Sequence, residues 1–163
     1  MSAVFDVDLA AAVVREAPEA IVVADPAGKV VLWNGGATRV FGYSEAEAIG
    51  ATLDLIIPEK LRARHWDGYE KTMATGQTKY GDSLLKVPAT HKDGRRMSIE
   101  FSVALLTAPE SGAVMGIAAV IRDTTERWQE ERKLRSRIAE LEAGQSTAGS
   151  TGSPSRGGVT SDR

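Results

Sequence analysis

The sequence predicts an α+β domain: a five-stranded antiparallel sheet with short helices on one face, flanked by an N-terminal and a C-terminal helix. Two observations predict it. Five β-rich runs are present, and in the longest Met97, Ile99, Phe101, Val103 and Leu105 alternate with Ser98, Glu100 and Ser102, the pattern of a sheet covered on one face. Between the second and third runs lie short segments bearing helix caps and one longer segment of helical periodicity.

Each element has a local reason. Val4 to Glu16 sets Val4, Phe5, Leu9, Ala12 and Val13 on a helical stripe that Pro18 ends. Ala20 to Ala24 and Lys29 to Trp33 form a hairpin across Asp25-Pro26-Ala27-Gly28, where Pro26 presets φ and Gly28 can take a positive one. Asn34 caps a helix over Gly35 to Phe41, and Ser44 with Glu47 makes a capping box for Glu45 to Ile49. Gly42 and Gly50 are the matching stops. A longer helix spans Pro58 to Thr75 and is closed by Gly76, with a weak point for a kink at Gly68. Strands then cover Thr78 to Thr90, Arg95 to Leu106 and Val114 to Arg122, joined by Lys92-Asp93-Gly94 and Pro109-Glu110-Ser111-Gly112. Thr124 to Ala143 is charged and helix-favouring, and Leu134, Ile138 and Leu141 fall short of the heptads a coiled coil needs. Ser, Thr, Gly, Pro and Arg dominate the end of the chain, so the expected organisation is a flanking helix over 1–17, a domain over 18–126, a helix over 127–143 and a disordered tail over 144–163.

Composition narrows the function classes. The chain has 163 residues and a formal charge of −2 with acids and bases interspersed, so it lacks the basic stripe that tracks nucleic acid. Without cysteine there are no disulfides, zinc-thiolate sites, iron–sulfur clusters or cysteine nucleophiles. No apolar run reaches the ~20 residues of a membrane span, and Asp6 and Asp8 sit where a signal peptide would be basic. A cytoplasmic protein is expected. Gly35-Gly36 has the spacing of neither a phosphate loop nor a nucleophile elbow, and Asp67 and Glu70 share their helix with basic neighbours as surface groups, so no enzyme is expected.

One residue carries most of the functional question. Leu61, His65, Tyr69 and Met73 recur every four residues and put His65 on the apolar stripe of its helix. A neutral imidazole facing an apolar cavity is what a haem iron needs as axial ligand; an ordinary core also contains such histidines, hydrogen-bonded to a carbonyl. Both readings stay open on the residues alone. His91, beside Lys92-Asp93-Gly94, reads as a solvated turn residue.

Leu32-Trp33-Asn34, Phe41-Gly42-Tyr43-Ser44, Ile49-Gly50, Lys92-Asp93-Gly94 and Ile121 to Arg127 stand in an order and at spacings that resemble a PAS sensory domain over about residues 17 to 127. The resemblance implies a PAS fold with a pocket between the sheet and the long helix, and a helical exit that relays a signal. Within that family, Pro58 to Gly76 is similar to the haem-binding PAS domains of oxygen-sensing histidine kinases, whose proximal histidine falls on His65. Trp66 departs from the pattern, shifting Asp-Gly-Tyr by one position. The kinases' distal arginine falls on Leu85, and the methionine ligand of a phosphodiesterase-linked group falls near Asp82, so neither distal chemistry is present.

The resemblance therefore implies haem b ligated by His65 and enclosed by Leu61, Tyr69, Leu84 or Leu85, Ile99, Phe101 and Val103, with Met97 or Met115 as further candidates to reach the iron. An apolar distal wall favours CO or NO over O2, since O2 gains most from a distal donor. Sensing of a diatomic gas or of redox state would be relayed by helix or dimer rearrangement in a homodimer to a downstream signalling protein not named by the sequence. Two alternatives accompany this reading: a cofactor-free PAS module for dimerisation or protein interaction, and a PAS sensor of flavin or another metabolite. Flavin photochemistry through a reactive cysteine is excluded by composition.

Overall fold

Asn34 shows how local chemistry assembles the domain. In the computed structural model, which describes residues 7–78 and 83–148, its buried side chain makes four hydrogen bonds. The carbonyl oxygen accepts from the amides of Ile21 and Ala37, capping helix α2 (Gly35–Phe41) and tying it to strand β1 (Ala20–Ala24). The amide nitrogen donates to the carbonyls of Val14 and Glu19, which fixes the end of helix α1 (Val7–Glu16) beside the same strand. Of the expected N-terminal helix, Val4 to Asp6 lie outside the described residues.

Strand β2 (Val30–Trp33) pairs with β1, and helix α3 (Glu45–Ala48) follows α2. The Ser44–Glu47 capping box is made in both directions, and Gly42 closes α2 with φ +83°. A 3-10 turn at Leu53–Leu55, unforeseen in the sequence, leads through Pro58 into helix α4 (Glu59–Thr75), which passes Gly68 as one helix and ends on the left-handed Gly76. Strands β3 (Leu85–Thr90), β4 (Arg96–Thr107) and β5 (Val114–Asp123) complete a sheet of order β2-β1-β5-β4-β3, antiparallel at every pair.

The third strand is shorter than its expected span from Thr78. Pairing with β4 starts at Leu85 opposite Phe101, and residues 79–82 lie outside the described set. Pro88 is tolerated because β3 is an edge strand with one side free of ladder bonds. The short helices α2 and α3 lie on one face of the sheet, as the pattern predicts, and the core joins Ala20, Val22, Val30, Trp33, Ala89, Met97, Ile99 and Ile121 to Ala37, Phe41, Ala48 and Ile56.

The chain divides after Thr125 into two units. The second is essentially helix α5 (Thr125–Ala148), which continues five residues beyond the expected stop at Ala143. A single glycine costs a helix only about 1 kcal/mol, and Gly144 does not take the left-handed conformation that would end one. Residues 149–163, the rest of the expected tail, lie outside the described set. On α5, Trp128, Leu134, Ile138 and Leu141 are exposed. No helix among the described residues is long and apolar enough to cross a membrane.

Candidate functional site

The inner face of the sheet is unevenly covered. Cross-strand register places Leu85, Phe101 and Ile121 in one row, and Val103 with Ala119 and Leu105 with Ile117 in the next two. Toward Met97, Ile99 and Ala89 this face is buried beneath α2, α3 and the 3-10 turn, whereas Leu85, Phe101, Val103, Leu105, Ile117 and Ala119 are only half-buried. An apolar shelf of half-buried residues thus lies at one end of the sheet, with Phe101 and Ala119 packed against the core at its inner edge.

Helix α4 borders that end. The Tyr69 hydroxyl donates to the carbonyl of Asp25, next to the end of β1, and Gly76 approaches Val114 at the start of β5. The helix makes little close backbone approach to any strand, so side chains fill or line the space between. Its inward stripe carries Leu61, His65 and Met73 half-buried and Tyr69 buried, joined by Arg62, Trp66 and Thr72.

His65 stands within an aromatic group. Its ring lies 4.9 Å from that of Trp66 at 80° and 5.7 Å from that of Tyr69 at 34°, and Trp66 meets Tyr69 at 5.4 Å and 72°. Nδ1 of His65 is buried and has no hydrogen-bond partner, the one side-chain nitrogen or oxygen in that condition among the described residues. Burial lowers its pKa and the charge of Asp54 opposes the change, so the imidazole is held neutral near neutral pH. Burial likewise pushes the Tyr69 hydroxyl up to about 12, assisted by the charge of Asp25.

The other expected residues divide. Leu85 faces Phe101 on the shelf, but Leu84 precedes β3 and is 59% exposed, so the strand phase selects Leu85 and takes Leu84 off the wall. Ile99 belongs to the closed part of the core, as does Met97, which is 2% exposed; Met115 is 59% exposed. Asp82 lies outside the described residues. His91 is not a solvated turn residue: its side chain is 15% exposed, packs where Gly42 leaves room, and sets Nδ1 3.0 Å from Asp93 Oδ1.

Sequence reasoning missed Asp54 altogether and read Trp66 only as an irregularity. The Trp66 indole N–H donates to Asp54 Oδ1 at 2.9 Å, and its ring occupies the space that the missing Cβ of Gly28 provides. Arg62 donates from Nη2 to the Asp54 carbonyl at 3.0 Å and from Nε to the Ile57 carbonyl at 3.1 Å. Among the described residues no group of three or more His, Cys, Asp or Glu converges to hold a bare metal ion.

A family model for the PAS fold matches residues 14–129. The chain is 30% identical over 125 residues to the sensor protein FixL of Bradyrhizobium diazoefficiens, covering 76% of this chain and 24% of that protein. It is 26% identical over 104 residues to the oxygen sensor protein DosP of Escherichia coli, covering 64% of this chain and 13% of that protein. It therefore spans less than a quarter of the length of these relatives. A PAS domain from Colwellia psychrerythraea superposes with a TM-score of 0.64 at 24% identity, over 73% of this chain and 97% of that one. An RNA-binding light-oxygen-voltage receptor superposes with a TM-score of 0.65 at 19% identity, over 89% of this chain and 40% of that one.

Proposed function

The chain belongs to the PAS fold family, and from that premise we propose that its domain is a sensor holding haem b through His65, with a diatomic gas or redox state as the signal. The observation that carries the reading is the buried, unpaired Nδ1 of a neutral imidazole beside a half-covered apolar shelf. Leaving such a nitrogen unpaired costs about 1–3 kcal/mol, so each such group in a folded chain calls for an explanation, and a ligand drawn to the imidazole is the one proposed here. Similarity to an oxygen sensor and to a second sensor protein supports the same direction.

Bound there, haem supplies an iron that takes up a diatomic gas or changes oxidation state. The chain's residues do the rest. His65 provides the ligating imidazole; Leu61, Tyr69 and the shelf of Leu85, Phe101 and Val103 enclose an apolar disc and keep water from it. At the place where the oxygen-sensing kinases' distal arginine falls this chain has Leu85, so CO or NO is favoured over tightly held O2. Exposed apolar residues on α1 and α5 support a homodimer as the relay to a downstream signalling protein.

A second reading draws on the same aromatic group: if Trp66 and Tyr69 already fill the space, the domain is a cofactor-free interaction module. Titration with hemin separates the two. The haem reading expects a saturable one-to-one Soret shift in the wild type, lost or made imidazole-dependent in His65→Ala and kept in His91→Ala. An equal shift in wild type and His65→Ala, or none in the wild type, rejects it.

A further inference from the structure

We propose that Trp66, held by Asp54, is the positioning residue that aims the His65 imidazole; this rests on the haem reading of His65 given above. Neighbouring side chains on a helix leave the axis about 100° apart, so fixing one sets the direction of the next. Trp66 is fixed from three sides: its indole N–H on Asp54 at 2.9 Å, its ring in the space left by Gly28, and its edge contacts to Tyr69 and to His65 itself.

Asp54 is in turn braced. Arg62, one helical turn before Trp66 on the same stripe, bonds the Asp54 backbone carbonyl and brings its guanidinium to 3.7 Å from Oδ1. The 3-10 turn and α4 are thereby cross-tied at Arg62, three residues before His65, and at Trp66, immediately after it. A helix with little close backbone packing depends on such side-chain ties for its rotation about its own axis. The extra tryptophan that breaks the expected spacing is then the residue that compensates for a loosely seated helix.

The test compares wild type with Trp66→Phe, Asp54→Ala and Asp54→Asn by hemin titration and by the iron–histidine stretching band of the reduced protein, with thermal melts of the haem-free forms alongside. Trp66→Phe keeps an aromatic ring, smaller than the indole, but loses the donor; Asp54→Asn keeps an oxygen acceptor that Asp54→Ala removes. The expected result is hemin binding weakened about tenfold, with a displaced band, in Trp66→Phe and Asp54→Ala, while Asp54→Asn stays near wild type. Should Trp66→Phe not fold, the Asp54→Ala and Asp54→Asn pair decides. Wild-type affinity and an unmoved band in Trp66→Phe and Asp54→Ala overturn the assignment, even if both melt lower, and so does an Asp54→Asn that behaves like Asp54→Ala. A wild type that takes up no hemin instead overturns the haem reading and removes this assignment with it.

Discussion

Tyr69 donates its hydroxyl to the backbone carbonyl of Asp25 across 2.5 Å, tying the middle of α4 to the end of β1. The two residues are 44 apart in sequence, and the bond joins the helix that carries His65 to the strand beside the open end of the sheet. The buried hydroxyl that makes it also titrates, displaced upward by burial first and by the charge of Asp25 second.

Tyr69→Phe should lower stability by about 1 kcal/mol at neutral pH, the net value of one hydrogen bond. The hydroxyl's pKa in the folded chain lies near 12, above its ordinary 10.0, so its contribution is full below pH 10 and is lost as pH rises toward 12. Denaturant unfolding across that alkaline range should show a fall in wild type that Tyr69→Phe lacks. Parallel curves would contradict the burial of the hydroxyl beside Asp25.

Gly28→Ala should destabilise by about 2–4 kcal/mol, combining a left-handed residue with overlap against the Trp66 ring. Adding Trp66→Ala should recover the overlap but not the backbone strain, so the double variant loses less than the two single losses added. Strict additivity in a double-mutant cycle would place Trp66 elsewhere.

Glu47 joins α3 to the Lys92 loop, and its pKa is lowered from 4.5 to about 2, first by the hydrogen bond from Lys92 and then by those from Ser44. A lowered carboxylate pKa gives stability that is present above 4.5 and lost as pH falls toward 2. Acid unfolding of Glu47→Gln should therefore converge on wild type through that window. A gap that persists unchanged at the acid end would contradict the assignment.

Leu134, Ile138 and Leu141 are 64%, 55% and 60% exposed at spacings of four and three on α5. Sedimentation across a concentration series should report a dimer for the wild type and a shift toward monomer for Leu134→Lys combined with Ile138→Lys. A monomeric wild type throughout would remove the dimer from the relay.

Where a signal is local, it was readable from the chain. Asn34 and Ser44 cap as their side chains allow, Gly42 and Gly76 end helices in the left-handed region, and the alternation in β4 gives the covered face. Register was harder: whether Leu84 or Leu85 faces inward depends on where β3 begins to pair, one residue of phase reversing the face. The Asp54–Trp66 bond was not legible, because it crosses Pro58 and depends on how the 3-10 turn folds back on α4, and no periodicity encodes that. His65 was legible as an inward histidine, but its unpaired nitrogen is visible only once every neighbour is in place.

The most direct test of the central claim is the haem content of the protein as purified from haem-sufficient cells, wild type beside His65→Ala, read from its absorption spectrum. One haem b per wild-type chain with a Soret band is expected, and a His65→Ala protein that is folded but lacks stoichiometric haem. A colourless wild type that also ignores added hemin, or equal haem in both proteins, would contradict it.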